Sequence, residues 1–285
     1  MGITARIATW GSLVKFSHSV FALPFALIMV VEIARYHPIS LATVMLLLVC
    51  IVAARTAAMG FNRIVDRNID RANPRTAARE IPSGLVPVRE AILLTLASGL
   101  VFILGAGLLG WHCLLLSPVV LAILLGYSLM KRYTACAHFV LGLALACAPG
   151  GVWYALTGIW SLEPLALMGG VLTWVAGFDI LYSCQDYEFD CKQGLFSIPA
   201  RIGIPASLLV AALLHILALG FLALFGVVFD LGLAYWIGLV LFGILLLSQH
   251  IAVKRRGIGC INQVFFTRNA LASLVLLAAV VVDSL

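Results

Sequence analysis

Stretches of about twenty apolar residues recur along the chain, each closed by a charge, a proline or a glycine. Nine such runs fall at approximately 14–35, 39–61, 88–110, 112–130, 135–157, 164–184, 206–229, 231–252 and 265–283. Their apolar positions are continuous and do not alternate, which predicts helices and not the strands of a barrel. In a bilayer each backbone polar group must be satisfied within its own segment, and ~20 helical residues cross the ~30 Å hydrocarbon layer. The expected fold class is all-α, a polytopic bundle of about nine transmembrane helices forming one domain over 1–285. The narrowest division lies between the third and fourth runs, at Gly110-Trp111-His112-Cys113. The first run is long and no small-residue cleavage site follows it, so no cleavable leader is expected.

Composition agrees. Hydrophobic residues make up 63% of the chain and charged residues 11%, against about 25% charged in a soluble domain. That shortage excludes a soluble globular protein. With the N-terminus in the cytoplasm and the runs alternating, the cytoplasmic side receives Arg6, Lys15, the bases of 63–89, Lys131, Arg132, Lys192, Arg201, Lys254, Arg255, Arg256 and Arg268. Only Arg35 falls at an outer loop. This is the positive-inside asymmetry, and a miscounted span would invert it downstream. It accounts for the net charge of +6 without a nucleic-acid partner. Seven cysteines are scattered with no CxxC pair, and are expected to pack as small hydrophobes.

Two cytoplasmic loops, 62–90 and 179–203, break the apolar pattern. Asn62, Asp66 and Asp70 stand at i, i+4 and i+8, a spacing that keeps three oxygen-bearing side chains along one helix face. Asp179, Tyr182, Asp186 and Asp190 stand at i, i+3, i+7 and i+11, a second stripe. Both stripes arrive at the same membrane face. If the second and sixth spans are neighbours, five or six oxygen ligands confront one another. Crowded carboxylates call for cations, and oxygen-only ligands suit Mg²⁺ bridged to substrate phosphates. Arg63, Arg67, Arg71, Arg75, Arg79, Lys131, Arg132 and Lys192 lie near this face, where charge-assisted hydrogen bonds would hold phosphate oxygens. Acids for Mg²⁺, bases for diphosphate and apolar walls describe a site for a lipid diphosphate.

A single Asp-xxx-Asp at a helix end is ordinarily a solvated cap. Two aligned clusters on helices of the same polarity are harder to explain that way. Asp179 sits roughly two turns inside its span, and an ionisable group at such depth is a functional hypothesis by default. Arg55, seven residues before Asn62, is its counterpart on the second span.

With these residues in place the chain resembles the UbiA superfamily of membrane-bound aromatic prenyltransferases. Asn62-xxx-Asp66-xxx-Asp70 matches the first Asp-rich motif. Asp179-xx-Tyr182-xxx-Asp186-xxx-Asp190, followed by Lys192 and Gly194, is similar to the second. Arg55-Thr-Ala-Ala, Arg75-Thr-Ala-Ala-Arg79-Glu-Ile-Pro82-Ser-Gly84 and Tyr127-Ser-Leu-Met-Lys131-Arg132-Tyr133-Thr134 resemble further family segments. The resemblance implies Mg²⁺-dependent transfer of a polyprenyl group from a polyprenyl diphosphate to an aromatic acid, with 4-hydroxybenzoate favoured. It implies that Asn62, Asp66, Asp70, Asp186 and Asp190 hold Mg²⁺ and that Arg75, Lys131 and Lys192 contact diphosphate. Arg55 would pair with the acceptor carboxylate. Asp179 would orient the acceptor hydroxyl or take up its proton, with Asp66 and Asp186 also catalytic. Tyr182 would support the diphosphate or pack behind Asp179, a plain interfacial tyrosine being an equal reading. The active-site loops would be 62–90 and 185–203, facing the cytoplasm from a bacterial inner membrane, with no obligate protein partner.

The first run departs from the 4-hydroxybenzoate pattern. It reads Lys15-Phe-Ser-His18-Ser-Val-Phe-Ala-Leu-Pro24-Phe-Ala, closer to the relatives of the futalosine branch of menaquinone synthesis. That leaves a dihydroxynaphthoate-like acceptor open and gives His18 a place beside it, or a plain structural role. His37, His112, His138, His215 and His250 share no spacing and are expected to be loop or packing residues. The rival of another class is a proton- or ion-coupled transporter built on Asp179 and Arg55. Transporters place such charges near the midplane on broken helices in both halves, whereas these acids crowd one face. A lipid-anchored scaffold leaves the paired clusters unexplained.

Overall fold

A computed structural model describes residues 9–14 and 21–285, with the side chains of all of these but 262–265. After a helical stretch at 9–13, the order is α1 (Leu23–Ala34), α2 (Leu41–Val65), α3 (Arg67–Ala72), α4 (Val88–Leu109), α5 (Trp111–Met130), α6 (Ala137–Thr157), α7 (Glu163–Ser183), α8 (Tyr187–Gln193), α9 (Ile198–Val228), α10 (Leu233–Arg256) and α11 (Ile261–Asp283). Single 3₁₀ turns occupy Cys184–Asp186 and Ile258–Cys260. No strand occurs among the described residues.

Eight of these helical segments are long and apolar enough to cross a membrane. The run expected over 14–35 is helical over the twelve residues Leu23–Ala34. At 1.5 Å per residue that is about 18 Å, short of the ~30 Å layer, and 15–20 lie outside the described residues. The narrow division between α4 and α5 is real. Gly110 has φ 153°, and a Cβ there would meet the His112 ring, so only glycine makes the break. The seventh run, expected to begin at 206, begins at Ile198. Ser197 accepts the Ala200 amide at 3.3 Å as N-cap, and the helix passes a kink at Gly203, φ 79°, before Pro205. The sequence shows the cap, but the Gly203-Ile-Pro205 breaker hides the turn before it.

The described residues fall into two compact units, 9–14 with 41–129 and 21–40 with 130–285. In the first, α2 packs along α4. Gly60 of α2 sits against the Thr95 hydroxyl of α4, a close approach that a side chain would prevent. Leu93, Leu96, Leu100 and Leu104 line an exposed stripe of α4, the surface expected of a helix meeting hydrocarbon.

In the second unit α7 is flanked by α6 and α9, and thirteen of its residues are buried. Trp174 is fully buried with its ring against Phe21, Phe25, Phe178 and Phe242. Its Nε1 donates to Asn269 Oδ1, which also receives Gln249 Nε2 at 2.9 Å. His215 and His250 hydrogen-bond ring to ring at 2.8 Å. They are therefore packing residues that pair across α9 and α10, a partnership their sequence spacing does not show. Polar groups inside a span find each other because lipid offers no alternative. Arg35, the one base expected at an outer loop, pairs with Glu32 at 3.2 Å and lies 3.9 Å from Asp283.

Candidate active site

In the first unit the acid stripe begins inside α2 and continues past its end. Asp66 separates α2 from α3, yet its amide reaches Asn62 O at 3.0 Å and the Asp70 amide reaches Asp66 O at 2.8 Å. Helical hydrogen bonding therefore runs through the break, and the spacing keeps its meaning. Asn62 Nδ2 donates to Asp66 Oδ2 at 3.1 Å. Asp66 and Asp70 are both buried. Asp70 Oδ1 accepts Arg79 Nη1 at 2.7 Å, while Oδ2 lies 4.0 Å from Arg63 Nη1.

The loop after α3 is built on that acid. Thr76 Oγ1 donates to Asp70 O at 3.0 Å, and Asn73 Oδ1 accepts the Arg75 amide at 3.0 Å. Glu80 accepts from Ser12, and Ile81 and Val86 pack with Leu13 and Ala91. Gly84, at φ 78°, turns the chain toward α4. Arg63, Arg67 and Arg79, all expected near phosphate, have protein partners. Arg63 is buried and donates Nε to Leu13 O at 3.2 Å. Arg67 Nη1 donates to Ile64 O at 2.8 Å, capping the carbonyl end of α2. Arg75 is exposed. Arg55, half-buried on α2, lies within electrostatic reach of Tyr127 on α5.

The second stripe does not lie on one continuous α-helix. After Ser183 the chain tightens into the 3₁₀ turn Cys184–Asp186 before α8, and three residues per turn shift the phase of the residues beyond it. Asp179 therefore belongs to α7, Asp186 to the turn and Asp190 to α8. Asp190 hydrogen-bonds Ser197 and is within electrostatic reach of Asp186, Lys131 and His138. The Phe196 amide donates to Lys131 O at 2.8 Å, and Arg201 stacks over the Phe196 ring at 4.4 Å. Tyr182 packs with the cluster of Cys184, Val253 and Ile261. Lys192 is exposed.

Asp179 has a partner that sequence spacing did not reveal. Its Oδ2 lies 2.7 Å from His138 Nδ1, and His138 Nε2 accepts the Ile198 amide at 3.3 Å. His138 is thus no packing residue. The available signal was the depth of Asp179, since an acid inside a span needs a partner on a neighbouring helix. His18, expected beside the acceptor, lies outside the described residues, as do Arg6 and Lys15.

Among the described residues no three His, Cys, Asp or Glu side chains gather closely enough to hold a metal ion. The donor chemistry still suits Mg²⁺, which keeps waters and substrate oxygens among its ligands. Asp70 Oδ2 supports this, being a buried acceptor with no hydrogen-bond donor.

The profile of the UbiA prenyltransferase family matches residues 22–274. The chain belongs to this family. A solved apo structure of a UbiA homologue from Aeropyrum pernix K1 is 33% identical, with TM-score 0.85 over 94% of this chain and 98% of that one. A UbiA homologue from Archaeoglobus fulgidus bound to DMAPP and Mg²⁺ shares the fold, with TM-score 0.70 and 19% identity over 96% of this chain and 98% of that one. A 4-hydroxybenzoate octaprenyltransferase from a Polaromonas species is 35% identical over 157 residues, 52% of this chain and 52% of that protein. The mitochondrial 4-hydroxybenzoate polyprenyltransferase of Caenorhabditis elegans is 31% identical over 153 residues, 52% of this chain and 42% of that protein. The chain spans about half the length of these curated relatives.

Proposed function

We propose that this UbiA-family protein transfers a polyprenyl group from polyprenyl diphosphate to a small aromatic acid, 4-hydroxybenzoate being favoured, and releases diphosphate. The observation that carries the reading is the pair of acid clusters, Asn62–Asp66–Asp70 and Asp186–Asp190, within a chain of this family. The relative bound to DMAPP and Mg²⁺ and the relatives named for 4-hydroxybenzoate support it. The active site faces the cytoplasm from the inner membrane, with the N-terminus on the same side, in keeping with the distribution of lysine and arginine.

Asn62, Asp66 and Asp70 in the first unit, and Asp186 and Asp190 in the second, would offer oxygen ligands to Mg²⁺. Bound Mg²⁺ would neutralise charge that builds on the departing diphosphate. Arg75, Lys131 and Lys192 bind diphosphate oxygens, and Tyr182 supports the diphosphate or packs behind Asp179. Lysine and arginine suit this role through charge-assisted hydrogen bonds to phosphate oxygens. The allylic C–O bond breaks, a ring carbon ortho to the acceptor hydroxyl forms the new C–C bond, and the ring proton leaves. Arg55 holds the acceptor carboxylate, for which a guanidinium offers a bidentate match. Asp179 orients the acceptor hydroxyl or takes up its proton.

Membranes containing the protein, given a polyprenyl diphosphate and each of two labelled acids, test the reading. Transfer to 4-hydroxybenzoate is expected. Transfer only to a dihydroxynaphthoate-like acid would reassign the acceptor, and transfer to neither would remove the function.

A further inference from the structure

His138 joins three elements of the second unit through one buried ring, 4% exposed. It stands in the first turn of α6, its Nδ1 lies 2.7 Å from Asp179 Oδ2 on α7, and its Nε2 faces the Ile198 amide at 3.3 Å. Ile198 is the first residue of α9 after the cap Ser197, where backbone N–H groups lack intrahelical acceptors. That amide can only donate. Nε2 must therefore carry a lone pair, and the ring proton resides on Nδ1, aimed at the carboxylate. The imidazole is an N–H donor to Asp179 that is held from behind by the backbone. The Asp179 side chain, 26% exposed, keeps Oδ1 for a ligand.

We propose that His138 is the positioning residue for Asp179, fixing Oδ2 so that Oδ1 meets the hydroxyl of the aromatic acceptor. This rests on the reading that places Asp179 at the acceptor. The Ser197–Ile198 step also ties the ring to Asp190, which bonds Ser197, so the acceptor-side acid and the second acid cluster share one support.

Full-length protein in membranes, as wild type, His138→Phe, His138→Gln, Asp179→Asn and the His138→Phe/Asp179→Asn double variant, decides it. Phe removes both hydrogen bonds, while Gln offers one donor and one acceptor. Loss of a hydrogen bond to a charged group is expected to lower kcat/KM for the acceptor roughly 10–100-fold in His138→Phe, with KM for the prenyl diphosphate unchanged. Gln is expected to restore most of the loss. In the Asp179→Asn background the Phe substitution is expected to add less than about two-fold. Wild-type acceptor kinetics in His138→Phe, or the same loss in both backgrounds, overturns the proposal. If Asp179→Asn itself keeps wild-type kinetics, Asp179 is not at the acceptor and the underlying reading of that residue fails too. Should the Phe variant not accumulate, nitrogen NMR of ¹⁵N-histidine-labelled protein decides. The signal lost in His138→Gln is expected to be a neutral Nδ1–H imidazole, and an Nε2–H form there overturns the proposal.

Discussion

Arg79 closes on Asp70, Nη1 to Oδ1 at 2.7 Å, and fastens the loop after α3 to the end of that helix. The other Asp70 oxygen faces buried Arg63 at 4.0 Å. Asp70 thus fastens the loop through one oxygen and faces the Arg63 guanidinium with the other. Asp70→Ala would leave Arg63 buried without its carboxylate, a loss of about 3–5 kcal/mol for the broken partner of a buried pair. Arg79 is partly exposed, so Arg79→Ala should lose less, about 1 kcal/mol. Thermal unfolding in detergent checks the order, with Asp70→Ala lower in Tm than Arg79→Ala.

Asp66 stands at the junction of α2 and α3, and Asp186 in the 3₁₀ turn before α8. Asp66→Asn and Asp186→Asn keep side-chain volume and remove a charge from the proposed metal ligands. Each is expected to lower turnover at limiting Mg²⁺ by at least about 100-fold while the protein still accumulates in membranes. Near-wild-type turnover at limiting Mg²⁺ in either variant removes that residue from the metal site.

Arg55 sits on α2 seven residues before Asn62, beside Tyr127. Arg55→Ala is expected to raise the acceptor KM by about 10–100-fold, the scale of a lost charge-assisted pair, with little change in KM for the prenyl diphosphate. Equal acceptor KM in variant and wild type would take Arg55 out of that role.

The helices were legible because lipid-crossing segments advertise themselves as continuous apolar runs. Even the tight α4–α5 break was marked by Gly110. The first acid stripe was legible because i, i+4 spacing survives the junction at Asp66. The second was only half legible, since no residue type announces a 3₁₀ turn at Cys184–Asp186. His138 was missed because its partner lies 41 residues away, and sequence spacing carries no information across separate helices. Proximity along the chain places Arg63 and Arg67 beside the acid clusters, but it does not show that they hydrogen-bond the carbonyls of Leu13 and Ile64.

Packing yields one more expectation. Gly142 of α6 faces the Leu172 backbone carbonyl of α7 so closely that a Cβ would overlap it. Backbone inside a packed helix pair cannot swing aside, so Gly142→Ala should destabilise by about 1–3 kcal/mol. Gly126, where a Cβ would have no neighbour within 4 Å, should tolerate alanine. Comparing the two variants by Tm checks this.

Metal-dependent prenyl transfer is the central claim. The most direct measurement is transfer of a polyprenyl group from its diphosphate to labelled 4-hydroxybenzoate by membranes containing the protein, with Mg²⁺ present or removed by EDTA. Labelled prenylated acid is expected together with released diphosphate, abolished by EDTA and restored by added Mg²⁺. Product formation that is indifferent to EDTA, or diphosphate release with no prenylated acid of any kind, would contradict it.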